Sequence, residues 1–304
     1  MNPGDLDWSA FYSLGEVDYH DRTPPYMVVE TCRDATVIIT NKTPISAELI
    51  GQCPNLRLIS VTATGYNIVD VAAAKANGVL VCNVPEYSTD SVAQHVFALL
   101  LELTNRTGRN ARSVMNGDWS KAADWCYTTG PIMELRSKRM GIVGFGRIGK
   151  RVAEMAHAFG MEVVFFNKGK TSELAKAVSL EDLFSTCDVI SLHCPLTPDN
   201  EGFVNAQLLA RMKPSAILIN TARGQLIREG ELAIALKEGK LAAAALDVLS
   251  KEPPPADHSL IGLENCLVTP HNAWISQEAR RRLLQTTLEN IERFLEGRPQ
   301  YVVG

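Results

Sequence analysis

Met140, Gly141, Ile142 and Val143 form an apolar run that opens onto Gly144-Phe145-Gly146-Arg147-Ile148-Gly149, and a helical pattern begins at once. This is G-x-G-x-x-G at a strand-to-helix junction, the arrangement that binds a dinucleotide. Gly144 permits the tight turn, Gly146 lets the backbone approach a pyrophosphate, and Gly149 lets the new helix pack closely on the strand. The amides that open the helix, from Arg147 and Ile148 onward, face the phosphates. Taken alone, the pattern also fits a plain turn between strand and helix, so its weight depends on the motifs elsewhere in the chain.

The chain has 304 residues, enough for two domains with their own cores, and its 46% hydrophobic content is ordinary for an α/β protein. Apolar runs such as 96–101 are far shorter than a bilayer span, and Met1-Asn2-Pro3-Gly4-Asp5 has neither the basic nor the apolar region of a signal peptide. A cytoplasmic protein with no membrane partner is therefore expected. A formal charge of -4 supplies no basic field for nucleic acid. Seven cysteines without a C-x-x-C pair read as reduced thiols, mostly in apolar surroundings, and no metal site is expected.

Beyond Met140, strand-like runs at 162–166, 189–193, 216–220, 242–247 and 266–268 alternate with amphipathic helices. That alternation predicts a doubly wound parallel sheet whose right-handed crossovers gather the C-terminal strand ends on one rim. Polar or unusual residues collect there: Asn167, Cys194 with Pro195, Thr221-Ala222-Arg223, Asp247 and Pro270-His271. A smaller α/β alternation precedes it, with strands expected near 17–19, 36–40, 58–61 and 79–82. A helix over 90–106 crosses into the dinucleotide domain, and a last helix over 276–296 carries the chain back. The predicted organisation is a discontinuous, flavodoxin-like α/β substrate domain, 1–87 with 277–304, and a dinucleotide-binding domain, 88–276. Residues 108–137, with Trp119, Trp125 and Tyr127, read either as an arm over a partner subunit in a homodimer or as a solvent-facing loop.

NAD-selective sites usually end the next strand in a carboxylate that binds the adenosine ribose. Here that position is Asn167, eighteen residues beyond Gly149, followed by Lys168 and Lys170. An amide can still bond a ribose and does not repel a 2′-phosphate, which either lysine could meet, so NAD(H) and NADP(H) both remain open.

Three segments extend the pattern: Asn220-Thr221-Ala222-Arg223-Gly224, Leu246-Asp247-Val248-Leu249-Ser250-Lys251-Glu252-Pro253, and Thr269-Pro270-His271-Asn272-Ala273-Trp274. With the glycine motif they resemble the D-isomer-specific 2-hydroxyacid dehydrogenases. The resemblance covers nearly the whole chain, including Val61-Thr62-Ala63-Thr64-Gly65-Tyr66-Asn67 and Asn83-Val84-Pro85-Glu86-Tyr87-Ser88-Thr89. Within the family the chain is most similar to glycerate dehydrogenases, which reduce hydroxypyruvate, and to glyoxylate reductases.

The resemblance implies that Arg223 binds the 2-keto acid, His271 is the general acid/base and Glu252 orients that histidine. The chemistry agrees: hydride addition to a ketone leaves an alkoxide needing a proton, which an imidazolium supplies near neutral pH. A carboxylate on the other ring nitrogen fixes the tautomer, and an Arg fork can polarise the keto oxygen and hold the carboxylate. The resemblance further implies that amides near Ala63, Thr64 and Gly65 bind the substrate carboxylate. Lys42 would add charge and Trp274 would lie beside the substrate. Ser88, Thr89 and Val92 would lie near the nicotinamide, with Cys194, Pro195, Thr221, Ala222, Asp247 and Ala273 as further cofactor contacts. His20, His95, His157, His193 and His258 lie in no comparable context, and His157 reads as structural. Two alternatives keep the scaffold: action on another small anion, as in formate and phosphite dehydrogenases, or a corepressor-like dinucleotide sensor.

Family members begin with an apolar strand, a loop and a helix resembling 2–14, whereas this chain starts where that strand would end. The missing strand would lie between those at 17–19 and 36–40, which leads to the expectation that the native chain extends upstream by roughly ten residues.

Overall fold

The computed structural model describes residues 5–304 except Lys168. The chain divides into two compact units, one running up to Ser88 and resuming over Ile275–Gly304, the other Thr89–Trp274.

In the first unit, β1 (Val37–Thr40), β2 (Leu58–Val61) and β3 (Leu80–Cys82) form a parallel sheet in the order β1-β2-β3. Side chains alternate along each strand. Ile38, Ile59 and Val81 pack on one face with Leu49, Ile50 and Ala74 from the short helices Ala47–Gly51 and Val71–Ala76. Val37, Leu58 and Cys82 pack on the other with Phe11 and with Ile291 of the helix Gln277–Leu295, which Ser276 caps. The strand expected at 17–19 does not form. Val17 packs sideways against the Phe11 cluster while Asp18, Tyr19 and His20 are exposed, so the segment acts as an apolar anchor and not as a sheet member.

The second unit carries a seven-stranded parallel sheet. Its strands are β4 (Arg139–Val143), β5 (Glu162–Phe166), β6 (Lys176–Ala177), β7 (Val189–Leu192), β8 (Ile217–Asn220), β9 (Ala243–Leu246) and β10 (Cys266–Val268). Their order is β10-β9-β8-β7-β4-β5-β6, so the winding reverses beside β4. The edge strand β6 is two residues long and was not expected from the pattern. Both faces are covered. Ile142, Phe165, Val189, Ile219 and Ala245 pack on one side with Val96, Phe97 and Leu100 of the helix Thr89–Asn105; Val143, Val164, Ile190, Leu218 and Leu246 pack on the other. This double burial is why the strands read as unbroken apolar runs, and why ligands in such sheets sit beyond the carboxyl ends at the reversal. Among the described residues, no helix is long and apolar enough to cross a membrane.

Candidate active site

At the reversal the chain is drawn tight by glycine. Gly144, directly after β4, has φ 92°. A Cβ there would strike the backbone of Cys194, and one at Gly149 would strike the Gly144 carbonyl. A Cβ on Gly146 would meet nothing within 4 Å. Two glycines therefore serve packing, and the third leaves an open face before the helix Arg147–Ala158. Thr221 Oγ1, at the end of β8, is buried with no hydrogen-bond partner among the described residues. An open glycine face at a helix N-terminus and an orphaned hydroxyl on the same rim both fit a dinucleotide, which would supply that missing partner.

Three neighbouring strand ends carry the candidate catalytic groups. After β8, Asn220 is wholly buried, and its side chain clamps the next turn from both sides. Oδ1 accepts from Ala222 N–H at 2.9 Å, and Nδ2 donates to the Arg223 carbonyl at 2.8 Å. The turn presents Arg223 to solvent, with Nη1 on the Ala222 carbonyl at 2.7 Å. Gly224 follows so close to Leu249 and Ser250 that a Cβ would overlap their peptide. The Arg223 turn and the Glu252 loop are thus packed backbone to backbone.

After β9 the loop to Glu252 is held along its length. Glu229 accepts from Ser250 N–H at 2.6 Å and from the Ser250 hydroxyl, with His258 Nε2 3.2 Å from the same carboxylate. Glu252 Oε1 accepts from Leu249 N–H at 3.0 Å, and Oε2 lies 2.6 Å from His271 Nδ1. An ionised carboxylate only accepts, so Nδ1 carries a hydrogen and Nε2 is the ring nitrogen left for a reacting group.

After β10, His271 has φ 53°, an uncommon left-handed conformation for a side chain of its size. Asp247 accounts for it. Its carbonyl accepts from His271 N–H at 2.8 Å, while its carboxylate accepts from Thr269 Oγ1 at 2.6 Å and from the amides of Asn272 and Ala273, each at 2.9 Å. His95 Nε2 lies 3.1 Å from Thr269 Oγ1 and 3.5 Å from Asp247. Burial raises the Asp247 carboxyl, but the bonds from His95, Thr269, Ala273 and Asn272 outweigh it and hold the group below its ordinary value.

The remaining sequence-derived positions fall in several places. Asn167 follows β5, half-buried, and Lys168 lies outside the described residues. Cys194 and Pro195 follow β7, and burial pushes the Cys194 thiol up to about 11, away from nucleophilic use. Ala273 is buried, Trp274 is half-buried, and Val92 is buried on the helix Thr89–Asn105. In the first unit, Ala63, Thr64 and Gly65 form the loop after β2. Thr64 Oγ1 donates to the Val84 carbonyl at 3.1 Å, and its own carbonyl accepts from Asn83 Nδ2 at 2.8 Å, so the loop is fixed by its polar groups. Lys42 is exposed after β1.

His95 and His258, to which the sequence reading gave no role, each join a carboxylate network that supports a site loop. His157 Nε2 lies 2.8 Å from the Leu174 carbonyl, a structural contact. Sequence reasoning also passed over Asn220 and Glu229 as supports. Asn220 did leave a signal, a lone amide ending an otherwise apolar strand. Among the described residues, no group of three or more His, Cys, Asp or Glu side chains is placed to hold a metal ion.

Fold and rim together define a dinucleotide-binding oxidoreductase. Residues 97–273 match the D-isomer specific 2-hydroxyacid dehydrogenase, NAD binding domain. The chain belongs to that family, whose members are oxidoreductases using NAD(H). It is 45% identical over 311 residues to a hydroxypyruvate reductase of Blautia hydrogenotrophica, covering 100% of this chain and 97% of the relative. It is 42% identical to a glycerate dehydrogenase of Methylorubrum extorquens, covering 94% and 91%. Among solved structures, an acyclic imino acid reductase in complex with NADPH and D-Arg aligns with TM-score 0.89 at 32% identity, covering 100% of this chain and 98% of that one. The formate, phosphite and corepressor alternatives are not favoured by these relatives.

Proposed function

We propose that the protein reduces hydroxypyruvate or glyoxylate to the D-2-hydroxy acid, and catalyses the reverse oxidation. The observation that carries this is the 2.6 Å Glu252–His271 contact, set on neighbouring strand ends with Arg223. When bound, the nicotinamide supplies or accepts the hydride. Arg223 holds and polarises the keto acid through its guanidinium fork. His271 gives its Nε2 proton to the developing alkoxide, and Glu252 stabilises the imidazolium before transfer and keeps Nδ1 protonated after it. Thr221 and the amides opening the helix at Arg147 hold the dinucleotide, with Gly144, Gly146 and Gly149 shaping the turn. The fixed loop of Ala63, Thr64 and Gly65 offers bare amides suited to a carboxylate, with Lys42 as added charge. Trp274 bounds the substrate beside His271.

NADH and NADPH oxidation measured against a panel of 2-keto acids tests the reading. Turnover of hydroxypyruvate or glyoxylate well above pyruvate and longer 2-keto acids supports it; turnover confined to a bulky 2-keto acid, or to none, overturns it. The seven cysteines are free thiols, in keeping with a reducing, cytoplasmic setting. A homodimer is part of the proposal, because Met115 and Trp125 are each 85% exposed and Trp119 is 53% exposed on the segment beyond the helix Thr89–Asn105. A monomeric mass at micromolar concentration would remove that part.

A further inference from the structure

We propose that this chain binds NADP(H) in preference to NAD(H), and that the adenosine 2′-phosphate sits in a basic cavity beside Asn167. The proposal rests on the second unit being the dinucleotide site. The cavity is lined by Phe145, Gly146, Arg147, Lys150, Lys170 and Thr171. Arg147 and Lys150 are the first and fourth residues of the helix Arg147–Ala158, one turn apart on the same face. Lys170 approaches from the loop after β5, where its amide donates to the Asn167 carbonyl at 3.2 Å. Among the described residues, neither Lys150 nor Lys170 makes an ion pair.

Charge and shape agree on the ligand. Among the described residues the lining brings together the ammonium groups of Lys150 and Lys170 and the Thr171 hydroxyl with no carboxylate, and a phosphate dianion is the ligand that two lysines neutralise. The floor is rigid, since Phe145 is stacked on Phe165 with centroids 4.1 Å apart. Gly146 keeps the approach open, as nothing would meet a Cβ placed there. The strand end that would carry a ribose-binding carboxylate in an NAD-selective site carries Asn167, whose neutral amide leaves a neighbouring phosphate unopposed. The nearby acid Glu154 is engaged by Arg151 at 2.8 Å and does not line the cavity.

The test uses titration calorimetry with two fragments that lack nicotinamide, 2′,5′-ADP and 5′-AMP, and therefore does not depend on substrate or turnover. The first is expected to bind at least tenfold more tightly than the second. Lys150→Ala and Lys170→Ala should each cut that preference severalfold while leaving 5′-AMP affinity unchanged, and Asn167→Asp should lower 2′,5′-ADP affinity selectively. Equal binding of the two fragments overturns the preference and leaves the dinucleotide site standing. Loss of both fragments equally in the lysine variants overturns the assignment of the cavity. Failure of both fragments to bind the wild-type chain overturns the dinucleotide reading itself.

Discussion

Glu252 meets His271 Nδ1 through one carboxylate oxygen at 2.6 Å and anchors to Leu249 N–H through the other at 3.0 Å. The same carboxylate that orients the ring is therefore itself oriented by the loop that bears it. Neither oxygen is left to swing freely, which places the cost of ordering in the fold and not in the reaction.

Replacing His271 with Ala is expected to reduce keto-acid turnover by on the order of a hundredfold or more. Glu252→Gln keeps the shape and one acceptor but removes the charge that faces His271 Nδ1, so keto-acid turnover should fall while KM changes little. Initial rates for both variants provide the check. Wild-type turnover in Glu252→Gln would make the carboxylate a spacer only.

The Asp247 carboxylate is 1% exposed and accepts three hydrogen bonds from the turn 269–273, those of Thr269 Oγ1 and the Asn272 and Ala273 amides, with His95 Nε2 3.5 Å away. Its folded carboxyl is held below the ordinary value, so the stabilisation is complete above the ordinary range and disappears only as pH falls through the lowered one. At neutral pH Asp247→Asn therefore loses all of it and sets an amide N–H against backbone donors. A loss of about 2–4 kcal/mol is expected in urea unfolding, with turnover reduced as His271 leaves its left-handed conformation. Wild-type stability in that variant would show that the turn holds without the charge.

Gly224→Ala tests the close approach of the Arg223 turn to the Glu252 loop. The added methyl overlaps the Leu249–Ser250 peptide, so one backbone must move, at about 1–3 kcal/mol. Lower thermal stability together with a raised KM for the keto acid is expected. An unchanged KM would mean that the two loops are not coupled in function.

His193 lies 2.8 Å from the buried Ser191 hydroxyl, and burial pushes its ring down to about 3. An unfolded chain protonates this ring near its ordinary value of about 6.5. Its contribution is therefore whole above that value and falls as acid is added, by up to about 1.4 kcal/mol per pH unit, until the folded ring also titrates. His193→Gln should lose less stability than wild type between pH 6.5 and 4.5 in chemical denaturation. Parallel curves for the two proteins would mean the ring is open to protons in the folded state.

Periodicity and motif order determined most of the architecture. Unbroken apolar runs such as Ile217–Asn220 come from strands buried on both faces, and Gly144 and Gly149 mark a turn too tight for a Cβ while Gly146 leaves its face open, so a doubly wound sheet with a dinucleotide rim was legible without coordinates. Arg223 and His271 were legible as rim positions after strands that the alternation placed, whereas Glu252, and the grouping of the three as one set, came from the family resemblance.

Tertiary structure alone decided how those residues are held. His271 is fixed by Asp247, twenty-four residues earlier, and the Glu252 loop by Glu229 and His258; such contacts join distant strand ends and leave no local pattern. The same limit explains 17–19, where only Val17 packs with Phe11 and Asp18 and Tyr19 stay exposed. Strand formation requires a partner edge as well as propensity, and partner edges are set by the packing of the whole unit.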